Sequence, residues 1–457
     1  MGLEKKIADL SKAYSDAAES PAGQRLGMLF DEGSFVRLDS LSGSASVVAG
    51  FGTVEGACVY AFSQNTECEN GSVSAKLISK LEKLFDMAAA TGYPVVGIYD
   101  SDGANLREGN KLFDFYGKLI DKTSKLSGVV PQISLVMGTC VGLSAVAASA
   151  ADLVIAVSGA AYGIETNGKN ISVEDAAKTG DVQIVADSDA DAIAKCREIL
   201  CMLPSNNLES VPVVGYDEQN AGAALESSMN LIGTKEKIIT NIVNYIADSG
   251  SFTEFSRFYG RTVLTGLATI DGESVGIVAN RFRTGDGKIN ADGAAKAARF
   301  VRFCDAFSVP VITLVDCAGY ENLHDCAKVA SAYSEATTAK IAVIIGSAFG
   351  SAFITLANAD YKLAWPSAVI APLVPETACA VLYNDRVAAA SDPIAERAAI
   401  LDEYKDTAAS PVTAAIDGIV DDVVMPAQTR EKIAAALEAL AGKRVHTLPK
   451  KHSNIQL

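Results

Sequence analysis

The chain has 457 residues, of which 49% are apolar and 21% are charged, and this is more apolar material than one hydrophobic core of ordinary size holds. The formal net charge of −16 argues against nucleic acid as a partner, because a phosphate backbone is bound mainly by clustered Lys and Arg. Nine cysteines without a C-x-x-C pair, and a charged amphipathic N-terminal segment where a secretory signal would lie, predict a cytoplasmic protein with reduced thiols. We therefore expect at least two well-packed α/β domains.

Two windows of the sequence, 133–151 and 341–359, each run for 19 residues without a charge, which is nearly the length of a membrane span. Both windows are rich in Gly, Ala and Ser, and an aspartate follows each of them directly. We interpret each window as a buried strand followed by a buried helix, not as a transmembrane segment.

The second half of the chain repeats the first. "VVAGFGTVEGACVYAF" at 47–62 matches "VLTGLATIDGESVGIV" at 263–278, and both alternate apolar residues around a turn with Gly, which predicts a β-hairpin. Further along, "YPVVGIYDSDG" pairs with "VPVITLVDCAG" at an offset of 216 residues. The offset falls to 208 residues at "MGTCVGLSA" (137–145) and "IGSAFGSAF" (345–353), so the second copy is shorter between these points.

Each copy predicts the order β-hairpin, helix, strand, helix, strand, helix, strand, which favours parallel pairing through right-handed crossovers. The period is too long for a solenoid, so the repeat indicates a duplicated domain. The segment 204–222, "PSNNLESVPVVGYDEQNAG", is rich in Pro, Asn and Gly and is the predicted boundary. We therefore expect an N-terminal domain of residues 1–222 and a C-terminal domain of residues 223–457, the latter ending in a helix at "AQTREKIAAALEALAG".

Few side chains offer catalytic chemistry. The stretch "GTCVG" matches a G-x-C-x-G nucleophile elbow with Cys140 at its crest, but such a hydrolase needs a histidine base. Of three histidines only His324 lies inside a predicted domain, so Cys140 is more simply interpreted as a small packing residue. The sequence has no cluster with metal-ligand spacing, no G-x-x-x-x-G-K-[ST] phosphate loop and no lysine flanked by methionines for biotin attachment. We predict no metal site.

The backbone of the two repeated glycine turns is the remaining candidate. A glycine turn at the start of a helix leaves peptide N–H groups unpaired, and the helix dipole adds positive potential there. Such donors stabilise an enolate or thioester oxyanion, each by up to ~3 to 4 kcal/mol in the transition state. The alternative is that the glycines only let strand and helix pack closely, since duplication would copy a packing device as well.

Seven strings occur in the order in which one enzyme family has them. The chain resembles, over nearly its whole length, the carboxyltransferase subunits of biotin-dependent acyl-CoA carboxylases and decarboxylases, of the propionyl-CoA carboxylase β and methylmalonyl-CoA decarboxylase α type. The matching strings are "LFDEGSF", "YDSDGANLREG", "VPQISLVMGTCVG", "LPSNN", "AARFVRFCDAF", "LAWPSAVIA" and "GIVDDVVMPAQTR".

The resemblance implies an α/β fold of two duplicated crotonase-like ββα-spiral domains. It also implies a homotrimer or a dimer of trimers, with each active site between the N-terminal domain of one chain and the C-terminal domain of another. The implied reaction moves a carboxyl group between biotin, held on a separate biotin carrier protein, and a short-chain acyl-CoA such as propionyl- or methylmalonyl-CoA, through an enolate. A decarboxylase would add a membrane pump subunit as partner, and only through that partner would the cytoplasmic chain associate with a membrane.

The resemblance also assigns site residues. The first turn, Gly142 and Leu143, is expected to hold the acyl-CoA thioester, while the second turn faces the ureido oxygen of biotin. The second turn consists of Gly350, Ser351 and Ala352, and the further residues expected at the substrates are Gly103, Ala104, Gly138 and Ile354.

The sequence departs from the family at these turns. The family's paired glycines are Gly142-Leu143 and Gly350-Ser351 here, and Leu143 would be strained if it required a positive φ. The family's "S-G-G-A-R" is "SDGAN" at 101–105, which places an acidic residue near the expected CoA site. Two alternatives stay open: a non-catalytic assembly subunit, and a crotonase-type hydratase or hydrolase with Asp102 as its carboxylate.

A set of basic residues follows this segment at helical spacing. They would either meet the CoA phosphates or form an ordinary solvated helix face, and the spacing does not choose between the two. These residues are Arg107, Lys111, Lys118 and Lys122.

Overall fold

In a computed structural model, the described residues are 3–39, 46–164, 171–217, 221–232, 238–282, 284–451 and 454. The chain divides into two compact units, Met1–Pro212 and Val213–Leu457. This division falls inside the Pro-, Asn- and Gly-rich segment 204–222, of which residues 218–220 lie outside the described residues.

The first unit alternates strands and helices after two N-terminal helices. Its helices are α1 (Leu3–Glu19), α2 (Pro21–Leu29), α3 (Ala75–Thr91), α4 (Lys111–Leu126), α5 (Leu143–Ser149), α6 (Val173–Thr179) and α7 (Asp189–Met202). Its strands are β1 (Val36–Arg37), β2 (Val47–Val54), β3 (Ala57–Gln64), β4 (Val95–Tyr99), β5 (Gln132–Val136), β6 (Thr139–Val141), β7 (Leu153–Val157), β8 (Ala161–Gly163) and β9 (Ile184–Ala186).

The main sheet of the first unit has the order β1-β2-β3-β4-β5-β7-β9. Strands β1, β2 and β3 pair antiparallel, and the pairs from β3 onward are parallel, as right-handed crossovers favour. The β2–β3 hairpin turns at Glu55 and Gly56, whose φ angles of 47° and 82° are the positive pair that a two-residue type I′ turn needs. Strand β6 leaves this sheet and pairs with β8 instead.

The second unit repeats the same plan and adds helices near its end. Its helices are α8 (Gly222–Met229), α9 (Ile238–Ile246), α10 (Ala291–Ala306), α11 (Leu323–Glu335), α12 (Ser351–Leu356), α13 (Pro375–Leu382), α14 (Asn384–Ala389), α15 (Pro393–Asp406), α16 (Pro411–Ile416) and α17 (Thr429–Leu440). Its strands are β10 (Thr253–Phe255), β11 (Val263–Ile270), β12 (Glu273–Asn280), β13 (Lys288–Ile289), β14 (Val311–Cys317), β15 (Gly319–Tyr320), β16 (Lys340–Phe349), β17 (Tyr361–Ala364), β18 (Val369–Ala371) and β19 (Asp422–Val423).

The sheet of the second unit has the order β10-β11-β12-β14-β16-β17-β19, with β18 beside β16. Its hairpin turns at Asp271 and Gly272, again with two positive φ angles, 51° and 78°. Both units thus follow the predicted order of hairpin, helices and strands. The second copy is shorter where the offset changes: α11 has 13 residues against 16 in α4.

Each sheet packs one face against its own apolar cluster. In the first unit this cluster joins β2 to β5 with α3 and α4, and in the second it joins β11 to β17 with α9 and α17.

The two uncharged windows each fold as a strand followed by a short helix. Among the described residues we find no helix that is both long and apolar enough to span a bilayer.

The C-terminal helix begins later than the sequence predicts. Residues Pro426–Gln428 form a 3-10 turn, and α17 starts at Thr429. The indole N–H of Trp365 donates a hydrogen bond to the Thr429 hydroxyl at 2.8 Å, which fixes this helix start in the core.

Candidate active site

The first glycine turn lies between β6 and α5. Gly142 has φ 61° and ψ −129°, and its N–H donates to the Gly163 carbonyl at 2.9 Å. Leu143 is already the first residue of α5, so the positive φ falls on the glycine and the leucine is not strained. The Leu143 side chain is 40% exposed.

The second glycine turn has the same geometry between β16 and α12. Gly350 has φ 45° and ψ −110°, and its N–H donates to the Ala371 carbonyl at 2.9 Å. A Cβ at this glycine would lie 2.8 Å from the Pro372 carbonyl oxygen, so only glycine fits. Ser351 begins the helix, Ala352 is buried behind it, and Ile354 is 69% exposed.

Backbone donors are available at both turns, and they begin one residue after the glycine. Because the Gly142 and Gly350 N–H groups already have carbonyl acceptors, neither is a free donor. The N–H groups of Leu143 and Ser351 are first-turn amides without an intrahelical partner, and no described residue accepts from them. Such amides, with the positive end of a helix dipole behind them, fit an oxygen that carries negative charge.

A carboxylate lies against the glycine four residues before each turn glycine, Gly138 between β5 and β6 and Gly346 within β16. A Cβ at Gly138 would come within 2.0 Å of Asp100 Oδ1, and a Cβ at Gly346 would come within 2.3 Å of Asp316 Oδ1. Asp316 also accepts a hydrogen bond from the Ser347 N–H at 2.9 Å. Sequence reasoning named Gly138 but missed both aspartates, although they occupy the same place in the repeated "YDSDG" and "VDCAG".

The two carboxylates differ in their surroundings. Asp100 is bound at 2.8 Å by Arg25, whose guanidinium also binds Asp189 at 2.8 Å. The second-unit residue at the place of Arg25 is the fully buried Ile242, 217 positions later. Burial raises the pKa of Asp316 to about 6. An ion-paired carboxylate therefore supports the first turn, while the second turn rests on a carboxyl group that titrates close to neutral pH.

The segment with Gly103 and Ala104 lies beside the first turn, because the Ser101 N–H donates to the Thr139 carbonyl at 2.8 Å. Gly103 has φ 107°, a value that side-chain-bearing residues rarely adopt. The Asp102 carboxylate accepts from the Asn70 amide at 2.8 Å. The structure thus brings Gly103, Gly138 and the first turn together within the first unit.

The basic residues from Arg107, in a 3-10 turn before α4, to Lys122 on α4 divide into two groups. Lys118 lies 3.1 Å from Asp114, and Lys122 pairs with Asp86, so these two charges are already balanced by neighbouring carboxylates. Arg107 and Lys111 are exposed and have no ion pair with any described residue. Arg107 and Lys111 are therefore the basic residues of this set that remain available to bind a phosphate.

Cys140 does not have the properties of a nucleophile. Its side chain is 1% exposed, and burial raises its thiol pKa well above the usual value. This agrees with its interpretation as a packing residue. Among the described residues, no group of three or more His, Cys, Asp and Glu side chains is placed to hold a metal ion.

Comparison with known protein families decides the affiliation of this fold. A family model for the carboxyl transferase domain matches residues 17–455. The chain belongs to the carboxyl transferase family. Among curated members, it is 36% identical to the propionyl-CoA carboxylase beta chain of Saccharopolyspora erythraea, over 95% of this chain and 90% of that one. It is 34% identical to the methylmalonyl-CoA decarboxylase subunit alpha of Propionigenium modestum, over 99% of each chain.

A solved structure of the carboxyl transferase family has the same fold. The crystal structure of transcarboxylase 12S, described as a hexamer with methylmalonyl-CoA and methylmalonic acid bound, superposes with a TM-score of 0.91. The superposition covers 100% of this chain and 99% of the transcarboxylase 12S chain, and the two sequences are 31% identical. The predicted α/β fold with two crotonase-like domains is confirmed by this likeness.

Proposed function

We propose that the protein is a carboxyltransferase that moves a carboxyl group between biotin on a separate carrier protein and a short-chain acyl-CoA, propionyl- or methylmalonyl-CoA. The observation that carries this proposal is the carboxyl transferase match over residues 17–455, together with relatives named for propionyl-CoA and methylmalonyl-CoA. The two matching turns supply the backbone donors that such a reaction needs.

In this proposal each unit serves one reactant. The Leu143 N–H donates to the thioester oxygen of the acyl-CoA, where negative charge develops as the enolate forms, and one such donor contributes up to ~3 to 4 kcal/mol. The Ser351 and Ala352 amides hold the ureido oxygen in the same way. Biotin, when bound, supplies the ureido ring that carries the carboxyl group. The glycines Gly142 and Gly350 give the turns their shape and do not act as donors.

The remaining substrate-side residues have supporting roles in the proposal. Gly103 and Ala104 form the backbone beside the thioester, and Gly138 lets Asp100 approach the first turn. Ile354, exposed one turn into α12, contributes to the acyl pocket. Arg107 and Lys111 are the cations that bind the CoA phosphates in this proposal.

We further propose that the chain works as a homotrimer or a dimer of trimers, which agrees with the hexamer described for transcarboxylase 12S. Its partners are a biotin carrier protein and, if the reaction runs as a decarboxylation, a membrane pump subunit. The relative from Propionigenium modestum is a decarboxylase subunit, and this supports including a membrane pump subunit among the proposed partners.

A carboxyl-exchange assay tests the function. Methylmalonyl-CoA labelled in its free carboxyl group is incubated with the purified chain and either free biotin or a biotinylated carrier domain, and label on biotin is measured after avidin capture. We expect transfer from wild type and a loss of about 100-fold in Gly350→Ala, because its Cβ would meet the Pro372 carbonyl. A wild-type chain that binds no acyl-CoA and transfers no label contradicts the proposal.

The alternative of a non-catalytic assembly subunit rests on Asp102 and on Leu143 and Ser351, which replace family glycines. The structure weakens the argument from Leu143 and Ser351, since both residues begin helices and the positive φ lies on the glycine before them. The variants Leu143→Gly and Ser351→Gly separate the two ideas. Activity that appears only in these variants supports the assembly subunit, whereas a loss or no change supports a working site. Hydration of an enoyl-CoA that is abolished in Asp102→Asn would instead support the hydratase alternative.

A further inference from the structure

A pair of buried hydroxyl groups lies directly behind the first turn. The Tyr116 hydroxyl on α4 and the Ser144 hydroxyl on α5 are 2.7 Å apart, and both side chains are buried. Burial raises the pKa of Tyr116 to about 12, so the phenol is neutral under physiological conditions and the contact is an uncharged hydrogen bond. Ser144 follows Leu143 directly, so this bond holds the residue next to the proposed thioester donor.

Other hydroxyl groups hold α5 further along. The Tyr162 hydroxyl donates to the Ala145 carbonyl at 3.4 Å, and the Ser134 hydroxyl donates to the Ala148 carbonyl at 2.9 Å. Of these contacts, the one from Tyr116 lies nearest to the start of the helix. A helix of two turns has little rigidity of its own, so its direction depends on such contacts.

The second turn is held in a similar way but by different residues. Ala352, 208 positions after Ser144, has no hydroxyl. There the Tyr320 hydroxyl lies 2.7 Å from the Thr355 hydroxyl, which itself donates to the Ser351 carbonyl at 2.8 Å. Inherited packing would keep the same residues in both copies. Two different hydroxyl pairs at two matching turns indicate that each short helix must be held in place.

We propose that Tyr116 is a positioning residue of the carboxyltransferase: through Ser144 it fixes the direction of the Leu143 N–H toward the thioester oxygen. This inference rests on the proposed function of the first turn. Because an oxyanion donor acts mainly in the transition state, a misdirected amide lowers kcat and leaves the KM for acyl-CoA nearly unchanged. Tyr116 itself touches no reactant in this arrangement.

The test compares Tyr116→Phe, Ser144→Ala and the double variant with wild type. Each single change removes the hydroxyl contact with little change in volume, and we expect kcat to fall about fivefold to tenfold, with KM within about twofold. The double variant should lose no more than either single variant, since all three lack the same bond. Amide hydrogen exchange of Val146, whose N–H donates to the Gly142 carbonyl at 3.2 Å, should become faster by a similar factor in all three.

Tyr333→Phe is the matched control. Tyr333 is fully buried on α11, and its hydroxyl lies 2.8 Å from the Thr313 hydroxyl on β14, so this hydroxyl contact joins no residue of α5 or α12. This variant loses a buried hydroxyl contact of the same kind, and we expect it to keep the wild-type kcat.

Three results would overturn the inference, and they are distinguishable. If wild type transfers carboxyl groups and Tyr116→Phe keeps its kcat, the positioning role is wrong while the proposed function stands. If wild type transfers none, the proposed function fails and the positioning role fails with it. A fall in kcat that Tyr333→Phe shares would indicate a general loss of stability and would also contradict the inference.

Discussion

Arg197 of the first unit and Arg430 of the second make the same set of contacts, although they lie 233 positions apart. Each guanidinium binds the carbonyl at the end of a helix, the aspartate that accepts the hairpin-turn amides, and an acid at the tip of that turn. The groups bound are Leu29, Asp31 and Glu55 in the first unit, and Ile246, Asp248 and Asp271 in the second. This contact ties the hairpin of each unit to its last helix.

Removing Arg430 should destabilise the second unit strongly. The Asp248 side chain is 2% exposed, against 29% for Asp31, so Arg430→Met leaves a buried carboxylate without its cation. We expect a loss of about 3 to 5 kcal/mol in the free energy of unfolding for Arg430→Met and clearly less for Arg197→Met. Urea unfolding followed by fluorescence of Trp365, the only tryptophan, reports on the second unit, and circular dichroism follows the whole chain.

The control for this prediction is Lys178→Met, which removes an exposed pair with Asp175 on α6. A surface pair of this kind contributes little to stability, because water and salt screen it. Equal losses in Arg430→Met and Lys178→Met would contradict the role assigned to Arg430.

Asp316 makes stability depend on pH in a definite direction. Its folded pKa is raised from 3.8 to about 6, so between these values the folded chain binds more protons than the unfolded chain, and stability falls as the pH rises. Above pH 6 the penalty is complete and amounts to about 3 kcal/mol. Asp316→Asn should therefore be more stable than wild type at pH 8 and equal to it at pH 4, as measured by urea unfolding.

Asp100→Asn is the contrasting variant. Asp100 is paired with Arg25, so its neutralisation leaves a largely buried guanidinium with one carboxylate fewer and should destabilise the protein at pH 8. If both variants shift stability in the same direction at pH 8, the difference between the two turns is not electrostatic.

Gly138 should tolerate no side chain. In Gly138→Ala the new Cβ would lie 2.0 Å from Asp100 Oδ1, and Arg25 holds this carboxylate in place through Oδ2, so we expect a loss of at least about 2 kcal/mol in the free energy of unfolding. Gly117→Ala is the matched control in the middle of α4, where nothing lies within 4 Å of the added Cβ. It should gain about 0.5 to 1 kcal/mol from helix propensity. Thermal unfolding of the two variants measures both effects, and a stable Gly138→Ala protein would show that Asp100 is free to move.

Cys140 should be dispensable for turnover. Because the thiol is buried and its pKa is raised, Cys140→Ala is expected to keep kcat within about threefold of wild type. In the native protein, iodoacetamide should label the partly exposed Cys68 well before Cys140. A loss of more than about 100-fold in Cys140→Ala, together with fast labelling of Cys140, would restore the nucleophile hypothesis.

Local sequence predicts the parts of this fold that depend on neighbouring residues. The hairpin turns form at Gly56 and Gly272, as the sequence predicts, because a type I′ turn needs positive φ angles that glycine adopts readily. The order of strands and helices in both units also follows the repeat. The start of α17 was placed two residues too early, since a 3-10 turn and a helix begin with the same local pattern.

The candidate turns were found from sequence, but their working geometry was not. The motif at 142–143 does not say which residue takes the positive φ, and only the chain's path from β6 into α5 puts it on Gly142. On this path the Gly142 N–H donates a hydrogen bond to the Gly163 carbonyl, so the first available donor is the N–H of Leu143.

The amino-acid sequence alone determined that this protein is a duplicated α/β chain with two glycine turns, because repeat, turn chemistry and hydrophobic period are properties of neighbours along the chain. Tertiary structure alone decided what lies behind those turns: Arg25 at Asp100, Ile242 in the corresponding place of the second unit, and Tyr116 at Ser144. Tyr116 and Ser144 are 28 residues apart in the sequence, and Arg25 and Asp100 are 75 apart, so no local pattern specifies these contacts. Their charges and hydroxyl groups interact only because parallel strands bring distant segments to one end of a sheet.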